Sequence, residues 1–362
     1  MITNPTRQHA LRSAPGPASR PAGRVRNSVE HQAALAWRLT PRDRWIVAML
    51  AEHRVLTATQ ITDMAFPSFR SGRQRLRELY LWSVLDRFQP FAALGSAPMH
   101  YVLAPAGAAV LAAAHGLEPR DLGYRHDRAL GIAHSLRLAH TVGVAEWFAA
   151  LVDAARHHPC ADESALEVWW SEARCARLFG DLVRPDGYGR WHTRGRRIEF
   201  FLEYDLGTEA LSRVAAKLAG YAALAAATTI TTPLLIWLPT PRREANARAA
   251  LHRAWRDLDQ PAAVPVATAA AGLLDPDSAH PSPADPVWLP LPTTGPRRDS
   301  GPRLPLDRLV EAWPHLEPHL GDSAPQAEPT GAGEHGSGAA RLPAPFPMPP
   351  APSPRGRAAP HR

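Results

Sequence analysis

Four polar residues near the middle of the chain stand out by type and spacing: Asp186, Glu203, Asp205 and Lys217. The stretch 198–217, IEFFLEYDLGTEALSRVAAK, reads as one buried strand, one sharp turn and one helix. Side chains alternate along a strand, so Ile198, Phe200, Leu202 and Tyr204 fall on one face and Glu199, Phe201, Glu203 and Asp205 on the other. Two carboxylates, Glu203 and Asp205, therefore leave the same side of the strand end, and Asp186, in Pro185-Asp186-Gly187, opens an earlier strand. Gly207 suits the turn, Thr208 the cap, and Glu209 the positive end of a helix over 209–226. On that helix Arg213, Lys217 and Tyr221 share a stripe by the four-residue rule. Lys217 is the single lysine among 41 basic side chains. Where arginine is used wherever a positive charge suffices, a retained lysine points to a compact, titratable ammonium, because arginine stays charged and forks its donors. The alternative is a lysine on a solvated helix face.

The elements that must position these groups follow from the periodicity. Strands are expected at 166–170, 183–191, 197–205, 233–238 and 264–268, with an Arg-rich helix over 242–258 whose Arg242, Arg243, Arg248, Arg253 and Arg256 give it a basic face. A long amphipathic helix, 128–157, precedes them and carries His134, His140 and Glu146. The two histidines are not spaced as i, i+4 ligands and read as core or capping residues, whereas Glu146 becomes a third acid near the site if this helix packs across the sheet. The pattern gives an α/β unit (α+β over the whole chain), a mixed sheet covered by helices. Residues 218–239 carry no charge and are long enough to span a bilayer, but TTITTP interrupts them. They are expected to be a helix ending near 227, a polar turn and a buried strand, so no membrane partner is expected.

Toward the N-terminus, Thr40-Pro41 starts a helix over 41–52, Thr57 caps a second over 58–65, and a third runs from 68 to 82. The third, SFRSGRQRLRELYLW, turns Leu76, Leu79 and Tyr80 inward and Arg70, Arg73 and Arg77 outward. Strands at 84–89 and 99–103 and a helix at 105–115 complete a winged helix-turn-helix, in which the third helix enters the major groove and the wing meets phosphates. The alternatives are a small helical domain with a solvated Arg face, or a winged helix that binds protein. A net charge of +7 points to an acidic partner such as DNA.

The expected organisation is a disordered basic arm at 1–36, the winged helix at 37–116, a charged linker at 117–127, the α/β domain at 128–290 and a Pro-rich disordered tail at 291–362. Cys160 and Cys175 are too few for a disulfide framework or a Cys-rich zinc site, and the start lacks the apolar core of a signal peptide. A reducing, cytoplasmic setting is expected. No G-x-S-x-G elbow occurs, and a phosphate loop would require another lysine.

Asp186, Glu203 and Lys217 together resemble the PD-(D/E)xK, or restriction-endonuclease-like, nucleases. In that family carboxylates on neighbouring strands hold a divalent metal, usually magnesium, which activates water and stabilises charge on the scissile phosphate, while a lysine positions or deprotonates that water. The resemblance assigns Asp186 and Glu203 to Mg2+ or Mn2+ and Lys217 to the water, all three being catalytic, and makes 128–290 a nuclease-like domain. The chain departs from the pattern in having Asp205 where the lysine usually stands; Lys217 then represents a lysine moved to the next helix. Asp205 is either a further metal ligand or the mark of an inactive site.

A larger arrangement is similar to the replication-relaxation family: LTPRDRWIVAMLAEHRVLTATQI, HSLRLAHTVGVAEWFAAL, RPDGYGRW, and FFLEYDLGTE with KLAGY. It covers about 38–270, and EYDLGTE followed by KLAGY is its most specific piece. The resemblance implies DNA binding connected to plasmid replication or transfer, in proteins of plasmids and integrated mobile elements common in actinobacteria, with DNA and replication or transfer proteins as partners. The expectation is a DNA-binding protein with a variant metal-dependent nuclease-like domain. The alternative is a noncatalytic DNA-binding regulator or docking scaffold on a degenerate nuclease fold.

Overall fold

The computed structural model describes residues 23–91, 95–158, 163–292, 301–314, 316 and 340–351. Helices α1 (Val29–Arg38), α2 (Pro41–His53), α3 (Ala58–Ala65) and α4 (Phe69–Leu81) come first, with the two-residue strand β1 (Leu56–Thr57) ahead of α3. Their starts are set by local chemistry. The Thr40 hydroxyl accepts from the Asp43 N–H while the Asp43 carboxylate accepts from the Thr40 N–H, and Thr57 and Gln60 repeat this at α3. Ser68 caps α4. The inward stripes, among them Ile46, Met49, Leu50, Ile61, Met64, Leu76 and Leu79, are fully buried. Strands β2 (Leu85–Phe88) and β3 (His100–Leu103) pair antiparallel, β1 joins the other edge of β3, and α5 (Pro105–Ala114) closes the group.

Residues 29–36, expected to be disordered, belong to α1. Ser28 caps this helix, Leu35 is buried in the core, and a ring nitrogen of His31 lies 2.7 Å from the Trp82 carbonyl. One apolar anchor and one hydrogen bond on the same face, at i and i+4, suffice to dock a short helix, and composition averages conceal them. Residues 1–22 lie outside the described residues.

The single long helix expected over 128–157 is instead α6 (His126–Gly131), a 3-10 turn (Ile132–His134) and α7 (Leu138–His157). Gly131 weakens the helix, and Ser135 bends the chain out, its backbone extended and its hydroxyl accepting from the Arg137 N–H. The start of α6 falls in the expected linker, where His126 meets Asp86 at 3.0 Å.

A six-stranded sheet follows, in the order β4-β5-β6-β7-β8-β9. Its strands are β4 (Ser164–Ser171), β5 (Gly187–Thr193), β6 (Arg196–Tyr204), β7 (Leu234–Leu238), β8 (Val266–Ala270) and β9 (Leu289–Pro290). The first three form an antiparallel meander, with α8 (Glu172–Phe179) between β4 and β5. Helix α9 (Leu211–Thr228) then links β6 to a parallel β7, α10 (Pro241–Arg256) links β7 to a parallel β8, and β9 pairs antiparallel. The sheet is mixed and the protein α/β. Alternation on β6 sorts the two faces as the sequence predicts: Ile198, Phe200, Leu202 and Tyr204 join Trp147 and Phe148 of α7, while Phe201 joins Val214, Leu218 and Tyr221 of α9. A fully buried side chain of this size contributes about 1.5–3 kcal/mol. Gly143 allows α7 to lie close on β6, since a Cβ there would stand 2.6 Å from the Tyr204 ring. One apolar core runs from α2 and α3 through α7 into the sheet.

Helix α7 is, among the described residues, the one helix long and apolar enough to cross a membrane, and most of it is buried in this core. The uncharged run 218–239 forms the end of α9, a turn and β7.

The tail expected to be disordered from 291 onward is packed in two places. A 3-10 turn (Leu306–Ala312) buries Leu306 and Leu309 beside Trp313, and Arg303 pairs with buried Glu244 at 2.7 Å. Further on, the Phe346 carbonyl accepts from Trp45 Nε1 at 2.9 Å and the Leu342 carbonyl from Arg174 at 3.0 Å. Scattered apolar anchors dock a Pro-rich chain that has no periodicity. Residues 293–300, 315, 317–339 and 352–362 of the expected tail lie outside the described residues.

Candidate functional site

The three sequence-predicted residues Asp186, Glu203 and Lys217 come together where β5 begins and β6 ends. Gly187 pairs with Leu202, so one further step of the antiparallel register brings Asp186 beside Glu203. Both carboxylates are buried. Glu203 Oε2 accepts from Lys217 Nζ at 2.5 Å and Oε1 from the Tyr221 hydroxyl at 2.6 Å. Lys217 and Tyr221 are one turn apart on α9, so the predicted stripe delivers both donors to one carboxylate. Arg213, the third member of that stripe, is exposed. The Lys217 ammonium, half-exposed, also lies 3.9 Å from Glu209.

Asp186 Oδ2 accepts from the Tyr204 N–H at 2.8 Å and lies 3.2 Å from His140 Nε2. His140 Nε2 is also 3.1 Å from the Tyr204 carbonyl. The long helix does pack across the sheet, but His140 reaches the site. Glu146 turns the other way and accepts from Gln60 Nε2 of α3 at 2.9 Å, and His134 is exposed in the 3-10 turn. Reading His140 as a core or capping residue therefore misses its place; its i, i+3 relation to Gly143, where a Cβ would meet the Tyr204 ring, is the signal that could have found it.

Asp205 leaves the same side of the strand as Glu203 but is engaged elsewhere. Its carboxylate is paired with Arg243 Nε of α10, with a second contact to Arg243 at 3.1 Å, and accepts from the Gly207 N–H at 2.7 Å. Arg243 also donates to the Glu209 carbonyl at 2.6 Å. This clamp delays the helix: α9 begins at Leu211 behind Ala210 with no side-chain cap, so Thr208 does not cap it and Glu209 lies outside its first turn. Arg248 is likewise turned inward, onto Thr268 and the Leu289 and Pro290 carbonyls. The basic face expected on α10 is accordingly divided between structure and solvent.

The electrostatics separate the two acids. Burial, reinforced by the charge of Asp186, pushes the Glu203 carboxyl up to about 7 against the pull of Lys217 and Tyr221. Burial also opposes charge on Asp186, but His140, Lys217 and the Tyr204 N–H outweigh it and hold that carboxyl below its ordinary value. The same Asp186 carboxylate raises His140 despite its burial. Two buried acids thus share one ammonium and one imidazole. Among the described residues, Asp186 also groups with His140 and Glu172, their ligand atoms within 4.8 Å of one another, whereas Asp186, Glu203 and Asp205 form no such group. Asp186 and His140 open onto a cleft of about 220 Å³ shared with Glu52, Arg54, Arg137, Glu172 and Arg184. Of these, Glu172 pairs with Arg137 at 2.8 Å and Glu52 with Arg174 at 2.8 Å. Cys175 is buried, and burial raises its thiol, so it offers no nucleophile; Cys160 lies outside the described residues.

The second predicted group lies on α4. Arg70, Arg73 and Arg77 are exposed on its outer face. Arg73 stacks on the exposed Phe69 ring at 5.5 Å, whereas Arg75 turns to Asp43 and Glu78, both at 2.6 Å.

A sequence profile described as Replication-relaxation matches residues 47–234, just over half of the chain. No curated protein and no solved structure matches it. The matched span runs from within α2 to the first residue of β7 and so contains both the arginine face of α4 and the Asp186, Glu203, Lys217 group. The chain belongs to the replication-relaxation family.

Proposed function

We propose that this protein binds DNA in the replication or transfer of a plasmid or other mobile element, docking through α4 and holding the neighbouring strand at the Asp186 cleft. The observation that carries this reading is the outer face of α4, where Arg70, Arg73 and Arg77 make no ion pair among the described residues while Arg75 between them is neutralised. The order α2, α3, α4, then the β2–β3 hairpin, supports reading this group as a winged helix-turn-helix with α4 in the recognition position. At the cleft the reading is a variant PD-(D/E)xK nuclease. In this reading Asp186 and Glu203 would hold Mg2+ or Mn2+, Asp186 from the cleft it shares with His140 and Glu172, and Glu203 by giving up its contact with Lys217 or Tyr221; when bound the ion would supply water activation and charge stabilisation on phosphate. Lys217 and Tyr221 orient Glu203, His140 and the Tyr204 N–H orient Asp186, and Arg54 and Arg184 meet the backbone. Asp205, clamped by Arg243, is outside the ligand set. Replication or transfer proteins are the partners this role requires, and its setting is cytoplasmic.

One observation favours a noncatalytic alternative: both oxygens of Glu203 already accept hydrogen bonds, from Lys217 and Tyr221. The ammonium then serves as a counter-ion, and the second domain is a scaffold.

Docking is tested by fluorescence anisotropy of labelled duplex DNA across a salt series. Each lost phosphate contact lowers the slope of log K against log salt by about one unit. The triple Arg70→Ala, Arg73→Ala, Arg77→Ala variant should therefore bind more weakly, with a slope smaller by about three units. An unchanged slope would place the DNA surface elsewhere.

A further inference from the structure

A different cluster of ligating groups lies at the far end of α7. Asp153 and His157 are one turn apart there, and His280 arrives from the segment between β8 and β9. His280 Nδ1 is 2.7 Å from Asp153 Oδ2 and His157 Nδ1 is 3.1 Å from Asp153 Oδ1. The two imidazoles stack, with centroids 3.9 Å apart and planes 10° from parallel. All three ligand atoms lie within 4.8 Å of one another. His157 Nδ1 is also 2.9 Å from the Asp153 carbonyl.

The surroundings are anionic. The cluster borders a cavity of about 300 Å³ into which Asp63 and Glu146 also face. Burial and the charge of Asp153 push the Asp63 carboxyl up to about 6, and burial raises Glu146. The Arg156 guanidinium donates to the Asp63 carbonyl and its charge also acts on Asp153 and Asp63. Three acids and two imidazoles thus surround one space, and two ring nitrogens converge on a single carboxylate. Two imidazoles and a carboxylate suit a borderline cation such as zinc. Magnesium and calcium, which take oxygen ligands, suit the nitrogen pair poorly.

We propose that Asp153, His157 and His280 form a transition-metal site of the zinc class, with the remaining coordination positions open to the cavity. One further wall of this cavity is formed by Phe66, Pro67, Ser68 and Phe69, the turn into α4. A metal there would fasten α7 and the 279–281 segment beneath the start of that helix. The proposal concerns residues outside the Asp186 cleft and does not rest on the nuclease-like reading.

The test uses the full chain, stripped with chelator and titrated with Co2+ alone while the visible d–d bands are recorded, and then with Zn2+ as competitor. Wild type should develop bands that Zn2+ abolishes and excess Mg2+ leaves intact. His280→Ala, a change in an exposed segment, and Asp153→Asn should lose those bands, and His140→Ala should keep them. Zn2+ should also raise the thermal midpoint of wild type, as a ligand of the folded state does, and leave that of His280→Ala unmoved. The proposal is overturned if wild type and His280→Ala bind Co2+ alike, if Mg2+ displaces it as readily as Zn2+, or if Zn2+ leaves the wild-type midpoint unchanged. Should Asp153→Asn fail to fold by circular dichroism, the His280→Ala comparison decides.

Discussion

Glu52→Ala is expected to destabilise the protein by about 3–5 kcal/mol, the scale of removing one partner from a buried ion pair. Glu52, at the end of α2, meets Arg174 of α8 at 3.0 and 2.8 Å and accepts from the Ser171 N–H and hydroxyl, with side-chain exposures of only 9% and 4% for Glu52 and Arg174. The variant removes the buried carboxylate that accepts from two nitrogens of the Arg174 guanidinium, while the Leu342 carbonyl keeps its contact with Arg174. Urea denaturation measures the loss, and a change below about 1 kcal/mol, the level of an exposed pair, would show that the pair does not hold the two halves together. The same group sets an acid limit. Burial opposes its ionisation, but the Arg174 hydrogen bond, the charges of His53 and Arg174 and the Ser171 N–H outweigh it and hold the carboxyl at about 2 instead of 4.5. A depressed carboxylate stabilises fully above its unfolded value and loses that contribution as pH falls through its folded value. Wild-type stability should therefore decline between about pH 4.5 and 2 more steeply than that of Glu52→Gln. Equal slopes would contradict the assignment.

Mg2+- or Mn2+-dependent nicking of supercoiled DNA is expected of the wild type. Asp186→Asn, Glu203→Gln and Lys217→Ala should each slow it by about 100- to 1,000-fold, the scale of losing one electrostatic element of a catalytic site, while leaving DNA affinity in place. Glu203→Gln keeps an acceptor for Tyr221 and so removes charge with little change of shape. Nicking by the wild type that all three substitutions leave untouched would remove these residues from the chemistry. Tight DNA binding without any nicking would select the scaffold reading favoured by the closed hydrogen bonds of Glu203.

Much of this was legible in the chain itself, for reasons of period. Alternation over 198–205 assigns each β6 side chain to its face, and the four-residue stripe of α9 brings Lys217 and Tyr221 to one carboxylate. Capping residues Thr40 and Thr57 fix where α2 and α3 begin. Period conveys nothing about pairs distant in sequence, and there the expectations parted from the structure. Asp205 shares a face with Glu203, yet Arg243, 38 residues on, closes it. Glu146 and His140 occupy one helix, and the docking of α3 against α7, together with the tight approach at Gly143, decides that the histidine meets Asp186.

The sequence by itself determined part of the local order: where α2 and α3 begin, which faces of β6 and α9 are apolar, and that Asp186, Glu203 and Lys217 belong to adjacent elements. Only the tertiary structure decided which polar groups meet. It paired Glu52 with Arg174 and Asp205 with Arg243, and it docked α1 and parts of the Pro-rich tail. Local conformation follows from the properties of neighbours in the chain. The partner of a buried charge is whichever opposite charge the packing brings within hydrogen-bond reach, since a charge removed from water must be paired.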